Sequence, residues 1–161
     1  MSRILVFVLA GLLTACSDSR DTTVQSSSTP SVELPNMQKI LQSKFLNAKP
    51  GDVITIPAGT FDFQRSLSLK VDGVTVRGAG MDKTILNFKN QISGAEGILV
   101  TASDFTIEDL AIEDTKGDAL KINDGKNIVV RRVRTEWTNG PDTSNGAYGI
   151  YPVQTENTLI E

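Results

Sequence analysis

Histidine is missing from this chain altogether. Its absence removes the side chain most often used as a general base near neutral pH, and with it the commonest metal ligand. A single cysteine, Cys16, cannot form an internal disulfide, so oxidative stapling of the fold is excluded. Surplus charge is lacking as well. The 16 Lys and Arg stand against 19 Asp and Glu, without the clustered basic excess of a nucleic-acid binder, so no nucleic acid is expected as a partner. Long apolar runs are absent: the stretch from Ile4 to Leu13 is ten residues, where a helix crossing a bilayer core of ~30 Å needs about 20. The 161 residues suffice for one domain with a real core, but not for two.

What is present begins with an address. Arg3 precedes the apolar run, and Thr14-Ala15-Cys16 follows it, the layout of an export signal. Leu13-Thr14-Ala15-Cys16 resembles the lipobox of bacterial lipoproteins, whose cysteine becomes the lipidated first residue after cleavage. The resemblance implies a lipoprotein signal peptide over 1–15, lipid attachment at Cys16, and an exported protein anchored to the cell envelope. Ser17 after the cysteine, in place of Asp, implies the outer membrane if the host is Gram-negative. From Ser17 to Asn36 the chain reads SDSRDTTVQSSSTPSVELPN. So few large apolar groups cannot offset the entropy of ordering, so 16–36 reads as the lipidated cysteine and a flexible tether.

Asn36 is a plausible N-cap for MQKILQSKFLNA, in which Met37, Ile40, Leu41 and Phe45 recur at helical spacing. The spacing predicts a helix over about 37–47 that lies as a lid on the open end of a sheet. From Gly51 onward the chain is short, β-branched and punctuated. DGVTVR, SDFTIE, KNIVVR and ENTLIE superpose, with strand starts at Val74, Phe105, Ile128 and Thr158 separated by 31, 23 and 30 residues. A basic period of 23 with two loop insertions is the signature of a solenoid. Alternation then turns Val74, Phe105, Ile128 and Thr158 inward, and Val76, Ile107, Val130 and Ile160 with them. Gly73, Asp104, Asn127 and Asn157, just before these strands, are the residue types that tolerate a left-handed corner. Arg77, Glu108, Arg131 and Glu161 alternate in sign from coil to coil, which predicts a structural charge ladder with each group between two of opposite sign.

This pattern resembles the right-handed parallel β-helix superfamily, the fold of pectate lyases and alginate epimerases. KPGDVITIPAGTF at 49–61 looks like the opening coil of such proteins, and VTVRGAG at 74–80 like the second. With the lipobox and NGAYGIYPV at 145–153, the chain is most similar to exported bacterial lipoproteins with parallel β-helix repeats and no established activity. A leucine-rich repeat has a comparable period, but its Leu-x-x-Leu-x-Leu-x-x-Asn frame is absent. The fold class expected is therefore all-β: a right-handed parallel β-helix solenoid over 37–161 with an N-terminal capping α-helix. Thr158-Leu159-Ile160-Glu161 is a fourth copy of the strand with nothing after it to cover the coil. The expectation is a solenoid truncated at its C-terminus, the N-terminal part of a longer domain, whose uncovered end self-associates.

Enzymes of this superfamily act on acidic polysaccharides, with a cation to neutralise a uronate carboxylate and a base to take its C5 proton, or with paired carboxyl groups. The epimerases' Asp-Pro-His motif is absent, as are the paired aspartates and Gly-His-Gly of the pectin hydrolases. No catalytic residue is assigned. What remains is a candidate ligand-binding cluster. Aligning Ala119 with Gly149 sets Lys121 opposite Tyr151, both outward, with Tyr148 and Trp137 nearby in the last insertion. Aromatic faces and one cation suit a sugar ring that bears a carboxylate. Glu113, Asp114, Asp118, Asn123 and Asp124 offer oxygen ligands of the kind calcium takes, but they are also ordinary turn residues, so no cofactor or metal is assigned. Gly78-Ala79-Gly80 follows a strand without Lys-Ser/Thr behind it and reads as a turn. The expected role is a membrane-anchored module that binds an acidic polysaccharide or an envelope protein without catalysis. The alternative is a polysaccharide lyase or uronate C5-epimerase whose catalytic coils lie beyond residue 161. A purely structural or adhesive scaffold has the same sequence signature as the binding module.

Overall fold

A computed structural model describes residues 36–161, and every structural statement below concerns those residues. The signal peptide, Cys16 and all of the tether except Asn36 lie outside them. The described chain is mostly β, with one helix at its start. Helix α1 (Met37–Asn47) begins at Asn36, whose side chain accepts a hydrogen bond from the Lys39 amide at 3.3 Å, the usual way to satisfy a free first-turn donor. Ala48 leaves the helix in extended backbone, and Pro50 follows.

Three strands make each coil. The first has β1 (Val53–Thr55), β2 (Gly59–Asp62) and β3 (Arg65–Leu69); the second has β4 (Thr75–Arg77), β5 (Thr84–Asn87) and β6 (Ser93–Val100). In the third, β7 (Thr106–Glu113) passes round a corner and β8 (Leu120–Asn123) closes the turn. The fourth repeats this with β9 (Lys126–Glu136) and β10 (Ile150–Val153), after which β11 (Glu156–Ile160) restarts the first face. All pairings are parallel, each strand with its counterpart one coil away. The chain is thus a parallel β-solenoid of about four turns with three faces. The first face holds β1, β4, β11 and the leading halves of β7 and β9. The second holds β2, β5 and the trailing halves, and the third holds β3, β6, β8 and β10.

Register follows the repeat. Ile54, Val76, Ile107, Val130 and Ile160 form one continuous row; the first four are buried, and Ile160, on the last strand, is half exposed. The row of Val74, Phe105 and Ile128 is fully buried beside it. Leu67, Ile98, Leu120 and Ile150 make the matching row of the third face. Phe63 and Phe88 stack between coils with ring centroids 5.0 Å apart. Full burial of such side chains supplies roughly 1.5–3 kcal/mol each, repeated coil by coil.

The corners account for the punctuation. Gly73, Asp104, Asn127 and Asn157 all have positive φ, between 52° and 72°. Asn127 donates to the Asp104 carboxylate at 2.8 Å, and Asn157 donates to Asn127 at 3.1 Å. A short polar side chain therefore serves twice, tolerating the left-handed turn and bridging to the coil below. Asp109 and Arg132 take the same conformation at the next corner, with φ of 59° and 48°.

The two ends of the stack differ. At the start, α1 packs Leu41 and Phe45, each 1% exposed, into the core. Its Gln38 side chain donates to the Arg65 carbonyl (3.1 Å) and accepts from the Gln64 amide (2.8 Å). Gln42 repeats the pattern on Ser68, donating to its carbonyl and accepting from its amide at 3.3 and 3.2 Å. A carboxamide carries the same donor and acceptor as a peptide group, so these two residues, one helical turn apart, occupy the outer edge of β3 as a neighbouring strand would. At the other end Leu159 and Ile160 are 45% and 50% exposed. There the Gly149 and Val153 carbonyls accept from the amides of Leu120, in β8, and Asp124, just after it. By alternation, Pro152 turns its nitrogen, which has no hydrogen, toward the outer edge of β10.

Candidate functional site

The third face presents its outward row as Ser68, Leu99, Lys121 and Tyr151, one per coil and in direct register. All four are half-buried, and Ser68, Leu99 and Lys121 alternate with buried core positions on either side. Rungs about 4.8 Å apart let neighbouring side chains meet, and Lys121 and Tyr151 do: the Lys121 ammonium lies 5.7 Å from the Tyr151 ring centroid, within cation–π range. Tyr148 stacks on Tyr151 with centroids 4.4 Å apart and planes inclined at 24°. Tyr151 is thus contacted by both Lys121 and Tyr148, while Tyr148, 51% exposed, presents its ring to solvent. Lys121 also has an anionic neighbour, Glu96, at 3.7 Å.

The loop that carries Tyr148 is set by glycine. Glu136 and Ile150 stand 14 positions apart, where Glu113 and Leu120 in the coil below stand 7 apart. The extra chain folds back closely enough that a Cβ on Gly146 would lie 1.8 Å from the Gly117 carbonyl oxygen and 2.8 Å from the Trp137 ring. Trp137 takes a different place from the tyrosines. It packs against the core, and its indole nitrogen donates to the Thr115 carbonyl at 2.7 Å, fastening the loop to the coil below. Beside it lies a cleft of about 470 Å³, with Lys89, Lys116, Asp114, Ser144 and Asn145 in its wall. Lys89 and Lys116 carry no signal in the sequence, because the insertion that faces them begins more than 20 residues away. Among the described residues, Asn123, in register with Val153, keeps its buried Oδ1 without a hydrogen-bond partner.

Two of the carboxylates considered for calcium are engaged elsewhere. Asp114 accepts from the Thr138 amide and hydroxyl, and Glu113 pairs with Arg134 at 2.9 Å. Among the described residues, no group of three or more Asp, Glu, Cys or His stands together to hold a metal ion.

The charged residues of the ladder lie on the first face, away from this row. Arg77 pairs with Glu108 at 2.6 Å, and Arg131 pairs with Glu161. The second neighbour of Glu108 is Arg132, at 3.5 Å, rather than Arg131, which stands in register with it. The expected alternation is thereby replaced by two pairs and a bridge, because the left-handed corner at Arg132 returns its side chain to the coil below. There Arg132 also grips Asp109 through two nitrogens, at 2.6 and 2.8 Å. That hydrogen bond, reinforced by the charges of Arg132, Arg77 and Arg131, holds the Asp109 carboxyl below the usual aspartate range, against a smaller opposing effect of desolvation. Burial disfavours the charge of Arg134, but the Glu113 and Glu136 carboxylates outweigh it and keep its pKa above the ordinary arginine value.

Comparisons with known protein families, curated proteins and solved structures find no match for this chain. The architecture and the side-chain geometry therefore carry the functional argument.

Proposed function

We propose that the chain is an exported module anchored through a lipidated Cys16, with the right-handed winding of the pectate-lyase-like solenoids, and that its third face binds an acidic polysaccharide without chemical conversion. The observation that carries this reading is the contiguous cluster of Lys121, Tyr151 and Tyr148 on the outward row. Tyr148 offers an open ring for the apolar face of a sugar, and Lys121 offers a cation for a carboxylate. Glu96 beside Lys121 gives the site a condition. A uronate must compete with a resident carboxylate, which favours weak, salt-sensitive binding repeated along a polymer over tight capture of a monomer.

Retention on immobilised polygalacturonate or alginate tests the reading. Tyr148→Ala, and Lys121→Ala combined with Tyr151→Ala, should each cut retention on the order of tenfold, as loss of one aromatic or cationic contact does. Unchanged retention would remove the cluster from consideration. New ultraviolet absorbance from unsaturated ends would replace binding with lyase chemistry. Membrane fractionation checks the anchor separately: Cys16→Ser should move the protein to the soluble fraction, and persistence in the membrane would refute lipidation there.

A further inference from the structure

Charge is unevenly distributed along the stack. Over 36–70, the helix and first coil, Lys39, Lys44, Lys49, Arg65 and Lys70 face only Asp52 and Asp62. Over 71–161 the balance reverses, with nine cations against fourteen carboxylates. Pairing differs in the same sense. Among the described residues, six of the nine later cations are in ion pairs (Arg77, Lys121, Lys126, Arg131, Arg132 and Arg134), whereas none of the five cations of the capped end is in one. Among the described residues the capped end therefore carries a surplus of cations that are in no ion pair.

Helix α1 gives that surface its shape. Leu41 and Phe45 point into the core, and Lys39, Ser43, Lys44 and Leu46 are exposed. Leu46 is 71% exposed, the highest value for any large hydrophobic residue of the described chain. Between α1 and β3 lies a cleft of about 660 Å³ whose wall, among the described residues, includes Lys39, Arg65, Ser43, Gln64 and Leu46 and no carboxylate.

We propose that this end of the solenoid docks on an anionic lipid surface, with Lys39 and Arg65 receiving a phosphate-bearing headgroup in the cleft and Leu46 entering the headgroup–acyl boundary. Two cations and hydroxyl donors, with no carboxylate among the described residues of the wall, suit a phosphate. The exposed leucine among lysines selects lipid over a hydrated polyanion, since it gains only where apolar surface is available to receive it. The polypeptide enters the described domain at Asn36, at this same end. For its setting the inference rests on the reading of an anchored chain; its geometry does not.

The test uses the full chain with Cys16→Ser, so that no acyl chain contributes, and co-flotation with vesicles of phosphatidylcholine alone or mixed with phosphatidylglycerol. The apolar run at 4–13 is common to every variant, so the preference for anionic over neutral vesicles is the quantity read. That preference should be clear at low salt and collapse at high salt. Lys39→Glu with Lys44→Glu should reduce it on the order of thirtyfold, at about fivefold per cation removed. Leu46→Asn should weaken it at unchanged charge. Lys83→Glu with Lys116→Glu, the same charge change on later coils, should leave it within about twofold. Circular dichroism melting verifies that each variant is folded. Absence of an anionic preference, equal losses in the two charge-reversal pairs, or displacement by soluble polygalacturonate would each overturn the proposal. Because Cys16 is already replaced, these outcomes are independent of whether the native chain is lipidated.

Discussion

The two ends of the solenoid face the same physical problem and meet it differently. A terminal coil exposes both a row of unpaired peptide groups and the apolar interior of the stack. At the first coil both are covered by α1. Its backbone is saturated by its own hydrogen bonds, so Gln38 and Gln42 do the pairing while Leu41 and Phe45 fill the core. At the last coil Leu159 and Ile160 remain half exposed, and Ile150 and Thr158 are only partly covered. Here the capping helix brings amides as well as hydrocarbons to the face it covers. Apolar cover alone would bury the β3 edge unsatisfied, at about 1–3 kcal/mol per stranded group.

The largest test of this contrast is truncation of the apolar anchors. Phe45→Ala should lower unfolding free energy by roughly 3–5 kcal/mol, because a fully enclosed ring leaves a cavity. Ile160→Ala should change it by less than about 1 kcal/mol, since half of that side chain is already in water. Equal effects in denaturant unfolding would mean that the helix covers the core no better than solvent does. Next comes Gln38→Ala with Gln42→Ala, expected to cost about 1 kcal/mol per lost amide. The Gln64 and Ser68 backbone amides, which donate to those side chains, should then exchange hydrogen faster, while the amides of β7 keep their protection. Unaltered exchange at Gln64 and Ser68 would break the strand-mimic account. The smallest effect belongs to the corner at Asp109. Its carboxyl is depressed in the folded state, so the stability it adds is present above the ordinary aspartate pKa and is lost as pH falls through the lower folded value. Water reaches the pair and screens it, so the amount is small. Asp109→Asn should flatten that part of the acid limb of a stability profile, and an unchanged slope would assign it to other carboxylates.

The fold was readable because its signals are local and repeated. Left-handed corners at Gly73, Asp104, Asn127 and Asn157 admit few residue types, and one-to-one stacking turns a period of 23 into rows of Val, Ile and Phe. Where a corner redirects a side chain, repetition stops being informative. Arg131 and Arg132 are adjacent in sequence, and only the backbone at Arg132 decides that it, and not Arg131, reaches Glu108. The cluster on the third face was legible in part. The register of Lys121 with Tyr151 follows from the repeat, whereas the inward packing of Trp137 depends on how its loop folds back over Gly117. The strand-like use of Gln38 and Gln42 left no trace, since their helical spacing is equally that of any half-exposed polar pair.

Pro152 bears on growth by addition. Any strand laid along β10, from this chain or another, meets an acceptor without its donor in mid-strand and must forgo a bond there or bulge around it. β11 carries no proline and imposes no such interruption. Templated elongation across this end is therefore lopsided: the first face can seed a new layer continuously, while the third admits one only with a defect.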